Sequence, residues 1–389
     1  MRSQRSLNRQ NVIRYTWDRH SRPPPTGALS LLPPEEAPSQ KVGFKDLEFW
    51  QLLLAAETSP RKSRDLVRDL GSSLFGFEGA FLNSPLLTPG EKKKVSLSDA
   101  EACKRAMASG ADVLTEDRYP RSLVQSADFV SPALFVQGDS QCLYQPSVGI
   151  VGTRNASPYG KACAQKFAEA LAQRGVTVVS GGALGIDAAA HRGALSVNGA
   201  TAAVLACGLD WVYPSVHATL FRELQKNGCV VSQFAFGVRP EDYKFLARNV
   251  TIAALSDVLL VIQAPVRSGA LTTAHASAEM GREVFVVPSN IDAQDFRGSF
   301  NLIRDGATLC YHPDQILESL GIGPAEKKLE SNLTGDGDKI VQILGLEPLG
   351  TDKIAERTGI GAGDVLSELT MLELDGIVMR QAGGYVLRK

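Results

Sequence analysis

The chain has 389 residues, with 41 Lys and Arg against 42 Asp and Glu and a formal net charge of −1. This length suggests two or three domains, and the 44% hydrophobic content is enough for a sizeable core. The near-neutral balance excludes a uniformly basic coat, so any contact with a polyanion must rest on cations gathered locally.

The chain begins with a basic stretch, Arg2, Arg5, Arg9, Arg14, Arg19 and Arg22 against Asp18, without the apolar stretch of a secretory signal. Pro-rich sequence follows, and residues 1–42 read as a disordered tail, or as the product of a misplaced start codon, rather than as a transit peptide. Residues 43–110 read as a small helical domain. Leu47, Trp50, Leu53 and Leu54 fall at helical spacing from Phe44 onward. Further helices are expected over Ser63–Leu70 and Leu97–Ser109, stopped by Gly71 and Gly110. Residues 111–137 read as a connection that enters a strand at Pro132–Val136.

From Val148 short apolar runs alternate with helical patterns. Strands are expected at Val148–Val151, Val176–Val179, Thr201–Cys207, Cys229–Phe234, Val258–Ile262 and Val284–Val287. Helices are expected at Pro158–Arg174 and Asp187–Asn198. Continuous apolar strands separated by helices mean a mostly parallel sheet covered on both faces. The fold class is therefore α/β, doubly wound and Rossmann-like over residues 111–320, with its ligand crevice at the carboxyl ends of the strands. A Gly-, Lys- and Asp-rich linker, 321–337, leads to residues 338–389. There, helices at Asp338–Leu344, Thr351–Thr358 and Ala362–Leu374 precede a hairpin opened by Asp375-Gly376, the pattern of a winged helix.

The six cysteines, Cys103, Cys142, Cys163, Cys207, Cys229 and Cys310, show no CxxC spacing. They read as reduced core thiols of a cytoplasmic protein. The scattered His residues form no zinc-like pattern, so neither a metal nor a cofactor is expected. No apolar run approaches the roughly 18 residues needed to cross a membrane.

Four segments carry the candidate chemistry. Gly152-Thr153-Arg154 follows the first parallel strand, and Ser157-Pro158 suits a helix cap whose free N–H groups favour phosphate. Arg154 adds a charged fork, and the absence of GxGxxG disfavours a nicotinamide cofactor. Ser180-Gly181-Gly182 with Gly185 lets backbone approach a phosphate chain closely. Asp187 there reads as a helix cap and His191 as a structural neighbour, so no catalytic residue is assigned. Lys244, Phe245, Arg248 and Asn249 bring cations, an aromatic face and an amide to a loop expected at the crevice, as a single strand requires. Arg267-Ser268-Gly269 places another cation at a helix start, and Asn290 and Asn301 add polar groups on the last crevice loops.

Several stretches together resemble the bacterial DNA-processing protein A (DprA/Smf) family. They are Val151–Gly160, Ser180–Leu195, Ala203–Pro214, Ser268–Ala274, Gly281–Pro288 and Asn301–Ala307, about 200 residues in order. The resemblance implies a SAM-like helical domain before the α/β domain and a winged helix after it. It also implies sequence-independent binding of single-stranded DNA during natural transformation, protection of that DNA, loading of RecA, and a homodimer through the α/β domain. The family's phosphate motif falls on Gly152 and Arg154, and its basic-aromatic motif on Phe245, Arg248 and Asn249. The usual Phe-Pro-x-Arg-Asn-Arg is here Phe245-Leu246-Ala247-Arg248-Asn249-Val250, which lacks the second basic group.

Two rivals follow from the same residues. One is a phosphoribohydrolase-like enzyme, but the Pro-Gly-Gly-x-Gly-Thr-x-x-Glu stretch of such enzymes is absent. The other is a nucleotide-sensing winged-helix regulator. Gly363–Leu374 contains no Arg, Lys, Asn or Gln but does contain Asp364, Glu368 and Glu373, so it is not expected to read duplex DNA.

Overall fold

The computed structural model describes residues 44–70, 77–96, 100–323, 335–344, 348–374, 377–381 and 383–387. The tail, most of the linker and the Asp375-Gly376 turn lie outside these residues. The chain divides into two compact units, Met1–Gly323 and Pro324–Lys389.

The first unit opens with helices α1 (Phe44–Ala55), α2 (Pro60–Leu70), α3 (Phe77–Asn83), α4 (Pro89–Ser96) and α5 (Ala100–Ala108). The two helices not anticipated, α3 and α4, span 7 and 8 residues, too short for a clear apolar period. Leu53, Leu66, Phe81 and Val95 form a small core. A second cluster joins Leu54, Ala102 and Ala106 to Phe135 and Phe236 of the following domain, and those two rings meet edge to face at 5.2 Å. Gln51 adds a paired amide lock, donating to Phe236 O at 2.9 Å and accepting from Phe236 N at 3.0 Å.

Next come β1 (Asp112–Thr115), α6 (Arg121–Gln125), β2 (Ala133–Gly138), β3 (Ser147–Val151), α7 (Pro158–Ala172) and β4 (Thr177–Ser180). They are followed by α8 (Ile186–Ser196), β5 (Thr201–Leu205), α9 (Ala218–Asn227), β6 (Gly228–Ser232), α10 (Asp242–Leu255), β7 (Val258–Val261) and α11 (Gly269–Glu279). The unit closes with β8 (Glu283–Val286), α12 (Arg297–Arg304), β9 (Thr308–Leu309) and α13 (Pro313–Ser319).

Among the described residues the sheet has nine strands in the order β1-β2-β6-β5-β4-β3-β7-β8-β9. Pairing is parallel from β6 to β9, and β1 and β2 add an antiparallel edge. β1 lies in the stretch read as a connection, because four residues starting at Asp112 carry too little apolar pattern to announce a strand. Alternate side chains feed opposite cores, as strand geometry requires. Ile150, Val178 and Leu260 face Phe167, Leu171 and Ile186 of α7 and α8. Val151, Val179 and Leu259 face Ile252, Leu255 and Ala274 of α10 and α11. Each buried aliphatic side chain of this kind contributes on the order of 1.5–3 kcal/mol.

The second unit contains α14 (Asp336–Ile343), α15 (Thr351–Thr358), α16 (Ala362–Leu374) and the hairpin β10 (Val378–Gln381) and β11 (Gly384–Leu387). Ile340, Ile354, Val365, Leu369, Leu372 and Tyr385 form its core. Gly359, at φ +72, takes the left-handed position that ends α15.

Candidate nucleic-acid interface

The chain proceeds β3-β4-β5-β6 in one direction and returns to place β7 on the other side of β3. The reversal of strand order therefore falls between β3 and β7, where the crevice of a doubly wound sheet opens. The loop after β3 is held from both sides. Ser157 Oγ accepts from Gly160 N at 3.0 Å, and Pro158 occupies the first turn of α7. Gln263, just past β7, accepts the Ser157 N–H and hydroxyl on Oε1 at 3.0 and 2.9 Å, and its carbonyl accepts from Thr153 N at 2.8 Å. Sequence reasoning passed over Gln263. The available signal was a polar side chain directly after an apolar strand at the switch point.

The loop after β4 packs on the loop after β3. At Gly185, φ is +82, and a Cβ would lie 2.4 Å from Thr153 O and 2.5 Å from Arg154 O. Only glycine allows that approach. Asp187 Oδ2 accepts from Gly181 N at 3.1 Å and Ala183 N at 3.3 Å, so this carboxylate fixes the glycine loop. His191 serves a different partner. Its Nδ1 lies 2.7 Å from Thr201 Oγ1, whose hydroxyl donates to Val178 O, so Nδ1–H is the donor. Burial, with His217 and Arg248 adding to it, presses the His191 imidazole down to about 3. Asp187 and His191 thus hold separate parts of the scaffold and do not bond to each other.

The segment carrying Lys244, Phe245, Arg248 and Asn249 is not a loop. It forms the first turns of α10. Its polar residues disguised an amphipathic period, because three of them are interior: Lys244 is 2% exposed, Arg248 5% and Asn249 8%. Arg248 donates from Nη1 to Gly181 O at 2.5 Å and Val204 O at 2.8 Å, and from Nε to Asn249 Oδ1 at 3.2 Å. Asn249 Nδ2 donates to Gly269 O at 3.1 Å and Thr272 Oγ1 at 3.2 Å, clamping the start of α11. Burial lowers the Arg248 guanidinium and raises the Asp187 carboxyl, and the charge of each opposes the shift of the other. Lys244 turns away from the crevice, donating to Arg239 O at 2.9 Å and pairing with Glu57 and Glu241 at 3.6 and 3.4 Å.

What remains exposed is an arginine–aromatic cluster. The Arg154 guanidinium lies over the Phe245 ring at 4.6 Å, and the Tyr213 ring is 5.5 Å from Phe245 at 55°. No carboxylate among the described residues pairs with Arg154. Arg154, Gly181, Cys207, Tyr213, Phe245 and Arg248 line a slot of about 40 Å³. Cys207 is inert there, because burial and then Asp210 push its thiol up to about 12. Gly152 and Thr153 precede Arg154 in the same loop. Gly182 is buried, its carbonyl receiving His217 Nδ1–H at 2.9 Å. Arg267 is exposed before α11, where Ser268 Oγ caps Ala270 N at 3.2 Å. The structure thus gathers Arg154, Gly181, Phe245 and Arg248 in one slot, assigns Arg248 and Asn249 to its foundation, and leaves Lys244 out. Tyr213 lies within the Ala203–Pro214 stretch, and its place beside Phe245 depends on a fold contact that sequence spacing does not show.

No helix of the described residues is long and apolar enough to cross a membrane, and none of their side chains form a group of three or more that could hold a metal ion.

Fold and loops together define a doubly wound α/β protein whose crevice is lined by arginine and aromatic side chains, followed by a winged-helix unit. The family pattern of DNA recombination-mediator protein A matches residues 111–321, and that of the DprA winged helix domain matches residues 323–384. The chain belongs to this family. Protein Smf of Escherichia coli (strain K12) is 39% identical over 279 residues, covering 69% of this chain and 74% of that protein. DNA processing protein DprA of Bacillus subtilis (strain 168) is 34% identical over 209 residues, 53% of this chain and 70% of that protein. The X-ray structure of DNA processing protein A from Streptococcus pneumoniae matches with a TM-score of 0.59 at 27% identity, covering 72% of this chain and 98% of that one.

Proposed function

We propose that this chain binds single-stranded DNA without regard to sequence, and that binding rather than catalysis is its role. The observation that carries the reading is Arg154, an exposed cation without a carboxylate partner among the described residues, stacked on Phe245 at 4.6 Å beside Tyr213. A cation follows the phosphate backbone, while an exposed aromatic edge accepts any base, because every base has a π-face. Membership of a recombination-mediator family supports the same reading.

The slot argues against both rivals. At about 40 Å³ it is far below the roughly 300–1,000 Å³ of pockets that enclose small ligands, so a strand lies across it rather than a nucleotide within it. Its lining contains no carboxylate, whereas glycosidic hydrolysis typically uses a pair of them, and Asp187 is committed to two backbone amides and Arg248. On this reading the protein works in the cytoplasm. It protects incoming DNA, delivers it to RecA, and acts as a homodimer through the α/β domain, in keeping with the family resemblance. The winged helix does not read duplex DNA, because α16 presents Asp364, Glu368 and Glu373.

The test is fluorescence anisotropy with a labelled mixed-sequence single strand. Arg154→Ala is expected to weaken binding to all sequences alike, about tenfold, without a change in thermal stability. Unchanged affinity at low and moderate salt removes Arg154 from the site. Release of free base from nucleotides by the wild-type protein would instead restore the enzyme.

A further inference from the structure

A second concavity lies between the helical segment and the sheet, a groove of about 530 Å³. Its charges are unevenly satisfied. Glu57 pairs with Lys94 at 3.0 Å and accepts from Tyr243 OH at 2.5 Å. Asp210 pairs with Arg105 at 3.1 Å and accepts from Gly237 N at 2.9 Å. Arg239 is exposed and has no carboxylate partner among the described residues. Its guanidinium lies over the Trp211 ring at 5.1 Å. The groove therefore repeats the design of the slot, a spare arginine mounted on an aromatic face.

The two concavities are also built from the same two pieces of chain. The loop after β5 gives Tyr213 and Pro214 to the slot and Asp210 and Trp211 to the groove. The segment from β6 into α10 gives Phe245 to the slot and Arg239 to the groove. Trp211 and Tyr213 are two residues apart, so their Cα atoms are separated by at most about 7 Å. The two concavities therefore adjoin along this loop, Tyr213 on the slot side and Trp211 on the groove side. A guanidinium already stacked on an indole is pre-organised, with its outer face and N–H groups open to a base or a phosphate.

We infer that Trp211 and Arg239 form a second nucleic-acid subsite, which extends the single-strand track from the Arg154 slot into the groove beside α5. This inference rests on the single-strand reading above, and it assigns to that strand a direction and a minimum length. Strands that fill only the slot do not reach Arg239, whereas longer ones do.

The experiment uses the full chain and labelled oligodeoxythymidines of about 4 and about 16 nucleotides, spanning the range of single-strand site sizes. Arg239→Ala is expected to weaken the longer strand about tenfold and lower its salt slope by about 1, while the shorter strand changes by less than about twofold. Arg239→Lys keeps the charge but not the planar stack, and restores part of the loss. Trp211 fluorescence, taken as the difference between wild type and Trp211→Phe, is quenched by the longer strand and not by the shorter. Retained short-strand affinity shows that each variant is folded. Equal losses on both lengths, or none on the longer strand in Arg239→Ala and Arg239→Glu alike, overturn the extension and leave the slot standing. If the wild-type protein binds neither strand at low salt, the single-strand reading fails and the subsite with it.

Discussion

Two regions of this chain have the architecture of DNA-binding modules, and they carry opposite charge. The crevice of the first unit exposes Arg154 and Arg267 above a layer of buried polar side chains. The second unit is a winged helix, yet α16 presents Asp364, Glu368 and Glu373 and no basic residue. The near-neutral total conceals this local contrast between the crevice loops and α16. Fold type places a helix or a loop where nucleic acid could lie, but the side chains there decide whether a polyanion is attracted or repelled. A second contrast lies inside the crevice itself. Arg154 is exposed and has no carboxylate partner among the described residues, whereas Arg248, lining the same slot, is spent on Gly181 O and Val204 O.

The largest effect that would sharpen this contrast is on stability. Arg248→Met removes a buried cation and strands Asp187, and it is expected to cost about 3–5 kcal/mol in urea unfolding. A loss below about 1 kcal/mol would break the division between a structural and a binding arginine. Next is the pH response of the scaffold. Folded His191 stays neutral down to about 3, while the unfolded imidazole titrates near 6.5. Between those values the unfolded chain binds more protons, so stability falls as pH falls, by about 1.4 kcal/mol per pH unit from this group. His191→Gln should flatten that slope by about one proton, and an unaltered slope would show that His191 is protonated in the native state.

Smaller changes address the ligand. Arg154→Ala, expected to lower single-strand affinity about tenfold, should also reduce the salt slope by about 1, the signature of one lost phosphate contact. Smallest is the effect on the winged helix. Glu368→Gln should leave single-strand affinity within about twofold, whereas Asp364→Lys with Glu368→Lys should raise duplex affinity severalfold. Strong duplex binding by the unaltered chain would erase the distinction between the two modules.

The architecture was largely legible because burial leaves a direct mark on sequence. Strands such as Val258–Val261 are unbroken apolar runs, and α15 and α16 were anticipated with the bounds observed. Short elements were not legible. β1, α3 and α4 carry too few residues to show a period. At the site, Gly152, Arg154, Ser157 and Phe245 stood out by residue type and spacing. Lys244, Arg248 and Asn249 read as an exposed loop but lie buried in α10, since sequence does not distinguish a cation facing solvent from one satisfied by interior carbonyls. Tyr213, Trp211 and Gln263 gained roles only when the fold brought their loops together.

The most direct measurement of the central claim is an anisotropy titration of the full chain with one mixed-sequence single strand and its duplex, repeated across a range of salt. The account predicts preference for the single strand, an affinity that falls steeply and linearly in log salt, and a shallower slope in Arg154→Ala. Equal affinity for both forms, or no single-strand binding at low salt, would contradict it.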